Sequence, residues 1–176
     1  MNPLLINRLS RIAFAACMIA LPVAGSAGTN ATVQNSGNPS EPGIEGTWVS
    51  RVVSNSTNPP TVQYSIATFL PGGQIVEENS GTTIRTIAQG EWQKVGPSNY
   101  ERSMIYMTFN APHTFSGFIQ VSSSIQLNGD RDEFDAQAFV EVYDVNGNLT
   151  ATRVNPSHAK RCTMGMTVPQ CIGVAP

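Results

Sequence analysis

The chain has 176 residues, of which only 12% are charged, and its net charge is −2. That length suits one domain with a sizeable core and leaves little for a second. The low, balanced charge argues against nucleic acid, whose phosphates need a basic patch, and against a disordered acidic tail.

Residues 1–27 read as a secretory signal. Arg8 and Arg11 precede the apolar run IAFAACMIALPVAG, and GSA then presents small residues up to Ala27. The run is too short to cross a bilayer, which takes about 20 apolar residues, and no other stretch comes close. A lipid anchor on Cys17 is the rival, but the apolar run continues past that cysteine. Cleavage would remove two arginines and no acid, and would remove Cys17. Cys162 and Cys171 then remain as an even pair in an oxidising compartment, secreted or periplasmic.

Residues 28–43 form a polar segment, GTNATVQNSGNPSEPG, with no apolar periodicity. It reads as a flexible leader. From residue 44 the chain becomes a series of strands with turn signals between them. The expected strands are 45–53, 61–70, 74–79, 83–95, 100–110, 115–127, 133–144 and 149–154. The turns include PGG at 71–73, GPSN at 96–99, NGDRD at 128–132 and VNGN at 145–148. Asn-Gly favours a tight hairpin because it tolerates positive φ.

Within the strands the pattern has period 2. Ile119, Val121, Ile125 and Leu127 fall on one face of their strand, and Phe134, Ala136, Ala138 and Val140 on one face of the next. No segment of similar length has helical periodicity, so crossover helices are lacking and neighbouring strands should be antiparallel. Eight strands on short turns predict an all-β, up-and-down antiparallel barrel over 44–155, which leaves no sheet edge open. Residues 156–176 are then a C-terminal tail.

Gly46-Thr47-Trp48 at the first strand resembles the opening Gly-x-Trp of lipocalin-like (calycin) barrels. The ordered run of Phe69, PGG at 71–73, GEW at 90–92, Gly96 with Tyr100, NGDRDEF at 128–134 and DVNGN at 144–148 looks like a group of small, mostly uncharacterised bacterial barrels of that type. The resemblance covers 45–154. It implies a late arginine packed on the opening tryptophan, and Arg153 is the matching position; a cation–π contact would give it a physical reason. The Thr-Asp-Tyr motif of typical lipocalins is missing, so no particular ligand carries over.

Chemistry-bearing residues are sparse. DRDEFD (130–135) and DVNGN (144–148) hold carboxylates and amides, but a calcium loop wants Gly at its sixth position and a late Glu, and neither fits. They read as solvated turns, and three Asn-x-Thr sequons are set aside because the signal and the resemblance imply a bacterial source. There is no GxSxG, HExxH or phosphate loop, and His113 has no evident partner. In the tail, His158, Cys162, Met164, Met166 and Cys171 offer the soft donors that suit Cu(I). The competing reading is a Cys162–Cys171 disulfide, which would consume both thiolates and stabilise by about 2.5–3 kcal/mol.

No metal site and no cofactor is therefore expected. The expected function is an exported, non-catalytic barrel that binds a small apolar molecule. Its tentative pocket is Trp48, Tyr64, Trp92, Tyr106, Ile119 and Phe134. One alternative is an enzyme of the cyclase or isomerase type using such a cavity. Another is a protein-binding outer face, suggested by Phe118, Phe139 and Tyr143.

Overall fold

The computed structural model describes residues 43–55 and 58–173. The expected signal, and all of the expected leader except Gly43, lie outside the described residues. Nine strands follow in order: β1 (Gly46–Ser54), β2 (Thr61–Leu70), β3 (Gln74–Asn79), β4 (Ile84–Arg85), β5 (Ala88–Lys94), β6 (Asn99–Asn110), β7 (Thr114–Leu127), β8 (Glu133–Tyr143) and β9 (Leu149–Cys162). A short helix, α1 (Val168–Cys171), ends the described chain.

Eight of these strands close a barrel in the order β1-β2-β3-β5-β6-β7-β8-β9, with β9 returning to β1. Every pairing is antiparallel. The expected architecture is thus the observed one. No helix among the described residues is long and apolar enough to cross a membrane.

Two strands depart from expectation. The stretch 83–95 breaks into β4 and β5, which both lie along β6. Arg85 pairs with Thr108, but Gln89 pairs with Ile105, so one extra residue sits on the β4–β5 side. Thr86 occupies the break. Its backbone N–H donates to the Met107 carbonyl, and its Oγ1 accepts the Met107 N–H at 3.1 Å, so a side chain replaces a backbone ladder partner.

The last strand runs on to Cys162 instead of ending at 154. Pro156 lacks an N–H and suggests a strand end. Here it pairs with Gln137 of β8 and sits just beyond the last β1–β9 pair, Val52 with Ser157, where no second ladder requires its donor. The residues from Ser157 to Cys162, expected in a tail, are the ones that zip onto β1 and close the barrel.

The end of the barrel reached by Trp48, Phe69 and Phe134 is tightly filled. Trp48 lies 4.8 Å from Phe134 between ring centroids, and Phe69 meets Phe134 edge-on at 6.3 Å. Ile44 plugs this end, and its carbonyl accepts the Trp48 indole N–H at 2.7 Å. Gly90 is required nearby, because a Cβ there would lie 1.9 Å from the Ser103 carbonyl oxygen. At the other end the inward residues Val52, Gln63, Ile119, Val142 and Arg153 are only half-buried. One end is therefore sealed, while the other is more open to solvent at these five positions, although Ser54 and Thr108 are buried there.

Candidate functional site

The middle of the barrel carries charge. Glu77 on β3 and Arg102 on β6 form a buried ion pair at 2.7 Å. Tyr106 donates its hydroxyl to the other oxygen of Glu77 at 2.8 Å, and Arg102 Nε donates to Ser123 Oγ at 3.3 Å. Burial, reinforced by the Glu77 charge, pushes the Tyr106 hydroxyl far above the usual phenol range. The Arg85 guanidinium lies 5.0 Å from the Tyr106 ring centre. Sequence reading missed this cluster, although the parity of YERSMIY already puts Arg102 on the same inward face as Tyr100, Met104 and Tyr106.

Beside this satisfied network stand two hydroxyls without partners. Ser50 and Ser65 are direct cross-strand neighbours on β1 and β2. Each is 1% exposed. Neither Oγ has a hydrogen-bond partner among the described residues. Leaving a buried hydroxyl unbonded costs about 1–3 kcal/mol, so a pair of them on one inner wall needs an explanation. Around them the inner face is small, with Ala67, Ala88, Ser157 and Ala159 all buried. In the eight-strand order β6, which supplies Tyr100, Arg102, Met104 and Tyr106, is the strand opposite β1.

The six expected pocket residues separate. Trp48, Tyr106 and Phe134 are buried inside, and Trp92 and Ile119 pack half-buried against the same core. Trp92 also donates its indole N–H to the Leu70 carbonyl at 3.1 Å. Tyr64 does not join them. On β2 the inward parity belongs to Ser65, Ala67 and Phe69, so Tyr64 points outward and is 39% exposed, opposite Arg51.

Arg153 is not the arginine on the opening tryptophan. Arg161 holds that place, 4.3 Å above the Trp48 ring, and donates to the carbonyls of Gly43, Glu45 and Arg131. Partial burial draws its pKa below the ordinary arginine value. Arg153 lies further along the same inward parity, paired with Val140 toward the solvent-admitting end. The error follows directly from ending the last strand at 154.

The tail chemistry resolves into a disulfide. Cys162 and Cys171 are joined, with their Cα atoms 5.0 Å apart. No thiolate is left in that pair, and Met164 is fully exposed. His158 points outward from β9 and bonds Asp135 at 2.9 Å, away from the cysteines. His113 stands in the β6–β7 turn at φ 83°. The acidic turns cap themselves. Asp144 accepts the backbone N–H groups of Asn146 and Asn148 and the Asn148 amide, which holds its carboxyl below the usual carboxylate range. Asn128 organises the other turn through Asp132 and Glu133.

A cavity opens on the outer wall. A trough of about 860 Å³ is lined by residues including Gln74, Glu91, Gln93, Glu101, Ser103, Ser122, Ser124, Gln137 and Phe139. A second hollow of about 430 Å³ adjoins it through Glu101, Ser124 and Gln137. Of the six expected pocket residues, the trough shares only Trp92. Compared with protein-family models, with curated proteins and with solved structures, the chain gives no match in any of the three.

Proposed function

We propose that the protein is a non-catalytic, exported barrel that binds a small molecule in its interior. The observation that carries the reading is the pair of buried, unpartnered hydroxyls, Ser50 and Ser65, on the small-residue wall opposite β6. A ligand with an apolar body and a hydroxyl or carbonyl group would satisfy both, entering from the end where the inward residues are half-buried. The apolar body expected from sequence is kept, with a polar anchor added. Export is supported by the signal-like residues 1–27 and by the Cys162–Cys171 disulfide.

The enzyme alternative has less support. Tyr106 occupies one oxygen of Glu77 and Arg102 the other, so this carboxylate is already engaged on both sides.

The test is a screen of small neutral amphipathic molecules against the purified chain, read by Trp48 and Trp92 fluorescence and by melting temperature. Binding that is lost in the Ser50→Val/Ser65→Val double variant is the expected result. If the screen finds no binder, and a crystal structure holds only water between the two hydroxyls, the reading fails.

A further inference from the structure

We propose that the outer face of β5, β6, β7 and β8 is a second binding site, for a linear neutral polyhydroxylated chain, that is, an oligosaccharide. The strand register sets a straight row across the wall: Gln74 opposite Glu91, Glu91 opposite Ser103, Ser103 opposite Ser122, and Ser122 opposite Phe139. A parallel row runs from Gln93 through Glu101 and Ser124 to Gln137. Adjacent strands lie about 4.8 Å apart, so the rows cross a distance of several ligand units.

The trough exists because its floor is serine. Ser103, Ser122 and Ser124 are too short to fill the space between the longer side chains of β5 and β8, and the hollow of about 860 Å³ results. These three hydroxyls have no protein partner among the described residues. The floor therefore offers free donors and acceptors, and Glu91 and Glu101 add acceptors for paired ligand hydroxyls. Phe139, 44% exposed at the β8 side, gives a flat apolar surface for the less polar face of a sugar ring.

The same lining excludes other occupants. Protein interface cores are depleted in Ser, Glu and Asp and favour Trp, Tyr, Met and Arg. Nucleic acid and other polyanions would meet Glu91 and Glu101 here, and Asp135 in the adjoining hollow. Among the described residues the one cation lining the trough, Arg102, is buried and committed to Glu77. A neutral, hydroxyl-rich chain matches what remains. The site also sits on rigid paired strands, so little ordering opposes binding. The two rows of side chains named above face away from the interior, while the inward Trp92, Arg102 and Ser123 only back the trough.

The experiment is calorimetric titration of the full chain with linear neutral hexasaccharides built from glucose, mannose, xylose, galactose or N-acetylglucosamine. Submillimolar binding of at least one is expected. Ser122→Tyr, which fills the floor, should weaken it about tenfold, and Phe139→Ala severalfold, with melting temperatures unchanged. Three results would overturn the proposal: no binding by any of the five sugars at millimolar concentration, binding insensitive to both substitutions, or tighter binding of spermine or oligolysine than of any sugar.

Discussion

Arg153 and Arg161 share the inward parity of β9 and do different work. Arg161 stacks on Trp48 and donates to three carbonyls around the barrel's sealed end. Its loss removes a cation–π contact and leaves part-buried acceptors without a donor. Arg161→Ala is expected to cost about 2–4 kcal/mol in urea unfolding, and Arg153→Ala clearly less. Equal losses would undo the assignment. Tyr106 gives a second prediction at this scale. Its folded-state pKa is raised above the unfolded value near 10. The hydroxyl's contribution is therefore complete below pH 10 and declines as pH rises beyond it, since the unfolded chain ionises first. Wild-type stability should fall above pH 10, and Tyr106→Phe should flatten that fall by up to about 1.4 kcal/mol per pH unit. Unfolding curves collected across that range supply the check.

At the level of elements, strand β9 matters most, because its second half closes the barrel and also leads into the disulfide. Cys162 stands opposite Thr47 at the end of the β1 ladder, and its partner Cys171 ends α1. Reduction frees a short loop beside the closing seam, and the chain-entropy model puts the loss at about 2.5–3 kcal/mol. The oxidised protein should show no free thiol at Cys162 or Cys171, and dithiothreitol should lower its melting temperature without opening the barrel, as read by far-UV circular dichroism. A reduced protein of unchanged stability would make the cross-link incidental. The alternation of β6, β7 and β8 was legible from the chain, because apolar and polar residues take turns there with few interruptions. The strand ends were not. Pro156 reads as a stop when the neighbouring ladder is unknown, and it is harmless only because β1 stops pairing at Ser157. The Thr86 break hides likewise, since a hydroxyl standing in for a backbone group leaves no mark on periodicity. Tyr64 was misplaced for a related reason. The parity of its own strand, not its aromatic character, sets the direction of its side chain.

At the largest scale, the barrel is asymmetric along its axis. One end is sealed by Ile44, Trp48, Phe69 and Phe134, while the middle holds polar groups and the far end is wetter. Alternation told which residues face inward but not which of them meet, so the pairing of Glu77 with Arg102 was beyond the sequence. That pair joins β3 to β6 across the intervening β5 and ties two non-adjacent walls of the interior. Two charges taken from water gain little net stability even when well paired, yet stranding one of them is costly. Glu77→Gln and Arg102→Met are each expected to destabilise by about 3–5 kcal/mol, because each leaves an uncompensated charge or its donors inside the barrel. The double variant removes both charges and should be more stable than either single one, the signature of direct coupling in a double-mutant cycle. Urea unfolding of the four proteins decides the matter. Additive losses would mean that solvent screens the two groups separately, and the polar middle would then be an extension of the wet end instead of a dry tie between walls.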